Sequence, residues 1–281
     1  MAPETAIRVI SLEESTDRRS EFSRQVFPSD LDWSFFSAYK SIVSPLGYND
    51  RDSIRACGRA LLLPEIGCYV SHFKCWEWLA NSEYDQVIIL EDDIIADWQA
   101  IAQMSLINLS TYKIDLLRLF AANPIECKIV MYRFSAPNCH LVRTIGWCLG
   151  TQGYMLTKAG ARRLVEKYYH IKTPVDFVLM RYWEHRLGSY SLFPFPIIER
   201  HASISTIGQR APVTHAAFLD RTIRFSWRIR DRVKREYFDR WTAERWPLGP
   251  TIDAGPAFIN RAMKSSSGES SIIPDRPTAR S

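Results

Sequence analysis

Three acidic residues, Glu91, Asp92 and Asp93, directly follow an apolar run of strand length at residues 86–90. Such a run predicts a strand covered on both faces, as in a parallel sheet, and ligands of open α/β sheets bind beyond the carboxyl ends of strands. Adjacent carboxylates repel one another unless a cation compensates, and Mg²⁺ and Mn²⁺ prefer oxygen ligands. The cluster therefore predicts a divalent-metal site, with Glu91 and Asp93 pointing to the same side. A solvated acidic loop that caps the next helix is the alternative.

The acidic cluster alone leaves the reaction open. Glycosyltransferases, nucleotidyltransferases and phosphohydrolases can all hold a metal with acids that follow a strand. The remaining motifs must therefore distinguish these classes.

The elements around the cluster predict an α/β fold, because extended segments alternate with helices. Helix-start signals stand at Ser15, Pro64, Asp97 and Thr157. The extended segments are residues 7–12, 33–38, 86–90, 115–120, 140–144 and 151–156.

Three further segments have less regular sequences. Residues 40–55 are rich in turn-forming residues and predict a loop. Thr173 predicts the cap, and Pro174 the first position, of a helix that ends at Gly188. Residues 189–198 are interrupted by prolines and predict an edge strand or an irregular segment.

The composition is that of a globular protein. Of 281 residues, 46% are hydrophobic and 24% are charged, which excludes disorder of the whole chain. No apolar run approaches the ~20 residues of a membrane span, and residues 1–8 lack the basic and apolar regions of a secretory signal. The six cysteines form no C-x-x-C pair, so we expect reduced thiols in a cytoplasmic protein.

Several sequence stretches occur in a characteristic order. They are Val9-Ile-Ser-Leu12 with Asp17-Arg18-Arg19, Leu63-Pro-Glu-Ile-Gly-Cys-Tyr-Val-Ser-His72 with Trp76, Ile89-Leu-Glu-Asp-Asp93, Gly150-Thr-Gln-Gly-Tyr154 with Gly160-Ala161, and Pro174-Val-Asp176. In this order they resemble the motifs of glycosyltransferase family 25, which includes lipopolysaccharide-type sugar transferases and collagen galactosyltransferases. The resemblance runs from about residue 7 to residue 207. Pro64 stands where the family often has Gly, a change that the start of a helix tolerates.

The resemblance implies a GT-A-like fold, in which a Rossmann-like sheet flanked by helices binds a nucleotide sugar. It implies a UDP-sugar donor, a divalent metal (usually Mn²⁺, with Mg²⁺ as the alternative) and transfer with inversion at the anomeric carbon. The implied acceptor is a hydroxyl of lipopolysaccharide or of another glycan, including lipid-linked oligosaccharides.

The resemblance also suggests roles for individual residues. Asp93 is expected to be the chief metal ligand, Glu91 a second ligand or a ribose contact, and His201 a third ligand, although a lone His is more often a surface residue. The residues expected to contact the nucleotide sugar are Arg18, Arg19, Glu65, Ser71, His72, Asp92 and Gly153.

An inverting transfer needs a base that deprotonates the acceptor hydroxyl. Asp176 is the candidate for this role. In the sequence Thr-Pro-x-Asp the same acid can instead cap a helix, so both roles stay open. Glu184 and Glu199 are the further candidates.

The positive charge of the chain is concentrated near its C-terminus. Residues 221–240 contain eight basic and three acidic residues, so their net charge of +5 equals that of the whole chain. They predict a basic amphipathic helix that binds an anionic membrane surface, and a terminal helix packed on the domain is the alternative. No nucleic-acid motif accompanies the charge, so no nucleic-acid partner is expected. The apolar stripe of this helix is Ile223, Trp227, Ile229, Val233 and Tyr237.

The domain organisation follows from these segments. We expect a GT-A-like glycosyltransferase domain at 1–215, a basic aromatic helical extension at 216–262 and a disordered tail at 263–281. The leading hypothesis is a metal-dependent glycosyltransferase that is peripheral on the inner face of a membrane. A metal-dependent nucleotidyltransferase or phosphohydrolase, and a non-catalytic protein that binds glycans or membranes, are the alternatives.

Overall fold

The computed structural model describes residues 2–26, 31–200 and 218–241, with the side chains of the last segment described from 222 to 240. Its centre is an eight-stranded sheet with helices packed on both faces. The strands are β1 (Thr5–Ser11), β2 (Trp33–Ser37), β3 (Gly47–Tyr48), β4 (Gln86–Glu91), β5 (Ile94–Ala96), β6 (Leu116–Arg118), β7 (Glu126–Ala136), β8 (Cys139–Ile145), β9 (Gly153–Thr157), β10 (His170–Ile171), β11 (Tyr190–Phe193) and β12 (Ile197–Glu199). The helices are α1 (Thr16–Gln25), α2 (Asp50–Cys57), α3 (Leu63–Asn81), α4 (Trp98–Ser105), α5 (Lys158–Lys167), α6 (Val175–Leu179), α7 (Tyr182–His185) and α8 (Phe218–Trp241), and a 3₁₀ helix spans Leu109–Tyr112.

The central sheet is mixed, with the strand order β2-β1-β4-β9-β6-β11-β8-β7. β2, β1 and β4 run parallel, whereas β9 is antiparallel to both of its neighbours. β7 and β8 form an antiparallel hairpin, as their short connection requires. The α/β class is therefore confirmed, and the sheet is parallel only in part.

β4 forms the centre of the core, as its apolar sequence predicts. Val87 and Ile89 pack on the face that α3 and α5 cover, and Ile88 and Leu90 pack on the opposite face. These four side chains have no exposed surface. A strand buried in this way holds the acidic residues that follow it in a fixed position.

The helix starts follow the predicted capping chemistry in two cases. The Asp97 carboxylate accepts a hydrogen bond from the Ala100 amide at 3.0 Å, and the Thr157 hydroxyl accepts one from the Gly160 amide at 3.1 Å. Ser15 precedes α1, but its side chain makes no capping bond with the helix backbone.

Four expectations for the elements were wrong. Residues 40–55 are not a plain loop, because they contain β3 and most of α2. β11 is an interior strand between β6 and β8, because the prolines at 194 and 196 follow it and do not interrupt it. Thr173 caps no helix: Pro174 is the residue before α6 and provides no side-chain cap. The segment up to Gly188 forms two short helices and not one.

Helix α8 packs one of its faces against the domain. Phe238 is buried against Met180, Tyr182 and Trp183, and Asp231 accepts two hydrogen bonds from Arg181, each of 2.8 Å. The alternative of a helix packed on the domain is therefore correct for this face. Within the three described segments, no helix combines the length and the apolar character needed to cross a bilayer.

Candidate functional site

A cavity of about 490 Å³ opens where β1 and β4 end, beside the N-terminal half of α3. Its volume is typical of a site for a small molecule, and its position is the one expected of ligands in an open α/β sheet. The predicted site residues that line it are Arg18, Ser71, His72, Glu91, Asp92 and Asp93.

Asp93 has an unusual environment in this cavity. Its Oδ1 atom is buried and has no hydrogen-bond partner among the described residues. Burial and the neighbouring carboxylates of Glu91 and Asp92 raise the pKa of Asp93 to about 7. A buried carboxylate oxygen without a partner is destabilising, so this arrangement fits a residue whose natural partner is a cation.

Glu91 has the opposite electrostatic balance. Its Oε1 atom lies 3.2 Å from Nε2 of His72 and also accepts a hydrogen bond from the Thr151 hydroxyl. Burial acts to raise the pKa of Glu91, but the interactions with His72, the hydrogen bond from Thr151 and the charge of Arg18 together outweigh it, and the pKa is lowered. Glu91 is therefore charged at neutral pH, whereas Asp93, with a pKa of about 7, is protonated in part of the molecules.

A buried hydrogen-bond chain fixes the orientation of His72. Trp76 Nε1 donates to the Tyr154 hydroxyl at 2.7 Å, and that hydroxyl lies 2.9 Å from Nδ1 of His72. Because Trp76 occupies an acceptor position of Tyr154, the phenol proton can point to Nδ1. This network assigns the imidazole proton to Nε2, from which it is donated to Glu91.

Asp92 is bound by residues of β1 and α1. Ser11 donates to Asp92 Oδ2 at 2.7 Å, and Arg18 Nη1 lies 3.3 Å from Oδ1. Arg19 donates to both the hydroxyl and the carbonyl of Ser11, at 3.1 and 2.9 Å. Arg18 thus lines the cavity, whereas Arg19 supports Ser11 from behind it.

The oxygens after β4 fit a hard divalent cation. Within the described part of the chain, both hydrogen bonds to Glu91 end on Oε1, so Oε2 can face a ligand. Asp93 adds the buried Oδ1 that no described group satisfies. Glu91 and Asp93 thus offer oxygen ligands of the kind that Mn²⁺ or Mg²⁺ prefers.

A second set of potential ligands lies in the same cavity and was missed from the sequence. Ligand atoms of Cys68, His72 and Glu91 all lie within 4.8 Å of one another. Burial, together with the carboxylates of Glu91 and Asp176, raises the pKa of the Cys68 thiol well above its usual range. The signal that could have revealed this set is the spacing of four residues between Cys68 and His72 on one helix face.

Besides Arg19, two further predicted contacts of the nucleotide sugar, Glu65 and Gly153, do not line the cavity. Glu65 forms a two-pronged ion pair with Arg59, at 2.6 and 2.5 Å, and accepts the Leu62 amide at 2.9 Å, so it stabilises the first turn of α3. Gly153 lies where an added Cβ atom would be 2.1 Å from Cδ1 of Ile197. Its lack of a side chain is explained by the close packing of β9 against Ile197.

Ser71 lines the cavity, but its hydroxyl is used within the protein. It donates to the Gly67 carbonyl at 2.7 Å and accepts the Tyr39 amide at 2.8 Å. Ser71 therefore connects α3 to the segment after β2.

The candidate bases have different surroundings. Asp176 accepts the amide of Phe177 at 2.8 Å and is not on the cavity wall, although its charge acts on Cys68. Glu184 pairs with Arg181 at 2.5 Å. Glu199 lines the cavity. His201, the expected third metal ligand, lies outside the described residues.

Known proteins with similar sequences were found. A family model described as glycosyltransferase family 25 (LPS biosynthesis protein) matches residues 4–179. The lipooligosaccharide biosynthesis protein lex-1 of Haemophilus influenzae is 24% identical over 194 residues, which cover 56% of this chain and 62% of that protein. Procollagen galactosyltransferase 2 of Homo sapiens is 22% identical over 200 residues, covering 66% of this chain and 31% of that protein.

A further relative and a solved structure are also similar to this chain. The probable inactive glycosyltransferase 25 family member 3 of Bos taurus is 29% identical over 208 residues, covering 67% of this chain and 33% of that protein. The matching segment thus spans less than two thirds of each of these relatives. A solved glycosyltransferase involved in glycosylating the major capsid of PBCV-1 covers 68% of this chain and 93% of that chain, at 11% identity. Its TM-score of 0.27 is too low to establish a shared fold.

Proposed function

Because the chain belongs to glycosyltransferase family 25, we propose that it transfers a sugar from a UDP-sugar to a hydroxyl of a lipopolysaccharide-type or other glycan. The observation that carries this proposal is the pair of Glu91 and Asp93 at the end of β4, with one buried oxygen left for a cation. The name of the lex-1 relative, a lipooligosaccharide biosynthesis protein, supports a lipooligosaccharide-type glycan as the acceptor. A GT-A-like fold is part of the same proposal.

Residues on the cavity wall support this proposal. A divalent cation held by Glu91 and Asp93 would act as a Lewis acid on the diphosphate leaving group. Arg18, on the same wall, is positioned to donate hydrogen bonds to phosphate oxygens. His72 keeps Glu91, which lines the cavity, oriented and charged.

The acceptor hydroxyl needs a base that removes its proton, and the candidate bases are carboxylates. Glu199 lies on the cavity wall, and Asp176 lies close enough to influence Cys68 on that wall. The variants Glu199→Gln and Asp176→Asn distinguish them. Loss of the base lowers kcat by about 10²–10⁴-fold and leaves the donor-induced thermal shift unchanged.

A screen of donors tests the proposal. Thermal shifts are measured with Mn²⁺ and a panel of UDP-sugars, because a ligand at 100 times its Kd stabilises the fold by about 2.7 kcal/mol. The preferred donor is then used in transfer and donor-hydrolysis assays. Asp93→Asn should abolish the metal-dependent shift and turnover, whereas the matched control Glu126→Gln, at an exposed position of β7, should retain both.

Two outcomes would favour the alternatives. Release of pyrophosphate from a nucleoside triphosphate would indicate a nucleotidyltransferase. UDP-sugar binding without turnover on a broad acceptor panel would indicate a non-catalytic protein, a case suggested by the relative named as probably inactive. Unchanged turnover in Asp93→Asn would reject the metal assignment.

A further inference from the structure

Helix α8 separates its charges between two faces. Asp231 and Asp239 point inward and pair with Arg181 and Arg143, each at 2.8 Å. Trp227 also faces the domain, with Lys172 Nζ 5.9 Å from its ring centre. Two of the three acidic residues in the segment 221–240 are thus used in docking the helix, and they do not offset the positive charge of the outer face.

The outer face of α8 carries an apolar stripe. The stripe consists of Phe225, Ile229, Val233 and Tyr237, whose exposed fractions are 64%, 48%, 61% and 63%. Residues four apart lie on one side of a helix, so these four form a continuous band. The sequence placed Trp227 in the same stripe, and the structure turns it toward the domain.

Basic side chains border this stripe on both sides. At about 100° per residue, Arg228 and Arg232 lie along one side of the stripe and Arg230 and Lys234 along the other, and all four are exposed. The acidic residue of the segment that does not dock the helix is Glu236, which lies 3.7 Å from Arg240. The outer face therefore carries the apolar stripe with positive charge at both borders, and the charge of Glu236 on this face is offset by Arg240.

We propose that the outer face of α8 binds an anionic lipid surface, with the apolar stripe inserted at the level of the acyl chains and the bordering basic residues on lipid phosphates. A helix that lies in the plane of a membrane has this arrangement. A second copy of the chain would bring like charges together across the stripe. A nucleic acid would neutralise the charges but leave the apolar side chains exposed to water.

Vesicle flotation with the full chain tests this inference. The wild-type protein is expected to bind vesicles of phosphatidylcholine mixed with phosphatidylglycerol, to bind pure phosphatidylcholine weakly, and to dissociate from mixed vesicles as salt increases. The experiment contains no donor sugar, so its result is independent of the proposed transferase activity.

Two variants separate the apolar and the electrostatic contributions. Phe225→Ser/Ile229→Ser/Val233→Ser should weaken vesicle binding at least tenfold without a change in charge. Arg228→Gln/Arg232→Gln should weaken it about fivefold per residue, and only on anionic vesicles. Both variants should keep the thermal stability of the wild type, because the altered side chains face away from the domain.

A matched control replaces exposed apolar side chains elsewhere, at Leu106, Ile129 and Tyr132, by Ser. It should bind vesicles as the wild type does. Undiminished vesicle binding by the stripe variant would overturn the inference. Equal binding of the wild-type protein to neutral and anionic vesicles would also overturn it. A stripe variant that mainly loses a dimer, or mainly loses binding to nucleic acid, would overturn it as well. If the stripe variant unfolds, vesicle binding by Arg228→Gln/Arg232→Gln is the deciding measurement, and undiminished binding to anionic vesicles would overturn the inference.

Discussion

The hydroxyl of Tyr154 lies 2.9 Å from Nδ1 of His72, so a residue of the central strand β9 determines which nitrogen of a helix residue faces Glu91. Both side chains have no exposed surface. The orientation of an acidic residue in the cavity therefore depends on a contact formed inside the core.

Removing the Tyr154 hydroxyl tests this dependence. In Tyr154→Phe the buried donor of Trp76 and Nδ1 of His72 both lose a partner, which should lower the free energy of unfolding by about 1–3 kcal/mol in urea titrations. Because groups that orient a ligand carboxylate affect metal binding, Mn²⁺ affinity should fall by about tenfold or more.

Tyr168→Phe is the matched control for that variant. The Tyr168 hydroxyl is also buried, but no group in the described segments bonds to it. Its removal should not lower the free energy of unfolding, because an unsatisfied buried hydroxyl is itself unfavourable, and it should leave Mn²⁺ affinity as it is. Equal losses in the two variants would show that the bond to His72 has no special role.

The sequence predicts one half of this site well and the other half poorly. β4 and its acidic residues follow from a local pattern, since a short apolar run without alternation, rich in β-branched residues, is typical of a strand buried on both faces. The contact of His72 with Tyr154 depends on the register of β9 against β4, in which Ile89 pairs with Tyr154. That register cannot be predicted from the sequence of either strand alone. The interior position of β11 was missed for the same reason, because strand order is set by contacts between distant parts of the chain.

Mn²⁺ affinity should depend on pH through Asp93. With a pKa of about 7 in the metal-free protein, Asp93 carries a proton at pH 6 that must leave when a cation binds. The affinity should therefore fall about tenfold between pH 8 and pH 6. Isothermal titration calorimetry at pH 6, 7 and 8 measures this change, and an affinity that does not vary with pH would contradict the assignment.

Asp93→Asn should stabilise the metal-free protein, and more so at higher pH. The pKa of Asp93 is raised on folding, so this carboxyl favours the folded state only while protonated, and stability is lost as pH rises through about 7. The gain from the substitution should be small at pH 4 and reach about 2 kcal/mol at pH 8 after allowance for solvent screening. Thermal unfolding with chelator present measures it, and a gain that shrinks as pH rises would be the wrong sign.

Gly153→Ala should destabilise the fold by steric overlap. The added Cβ atom meets Cδ1 of Ile197 at 2.1 Å, and overpacking of this kind costs about 1–3 kcal/mol. Ile197→Val removes that atom at a cost of about 0.5–1.5 kcal/mol. The double variant should then lose less than the sum of the two. Additive losses in chemical denaturation would show that the overlap is relieved in some other way.

Thiophilic cations should bind where Cys68, His72 and Glu91 approach one another. Cd²⁺ is expected to give thiolate charge-transfer absorbance and to inhibit transfer, because it would remove Glu91 from the hard cation. Cys68→Ser should lose both effects and keep its response to Mn²⁺. Cys139→Ser, on β8, is the control and should behave as the wild type. Inhibition that persists in Cys68→Ser would place the inhibitory ion elsewhere.

The position of β11 has a consequence for how the chain is completed during synthesis. β11 joins β6 to the β7–β8 hairpin, yet it is the last of the eight sheet strands to leave the ribosome. Until Tyr190–Phe193 is made, the hairpin has no strand through which to join the rest of the sheet. The family match ends at residue 179, so a chain truncated there would keep the acidic cluster Glu91, Asp92 and Asp93 and still leave two separate pieces of sheet with open edges.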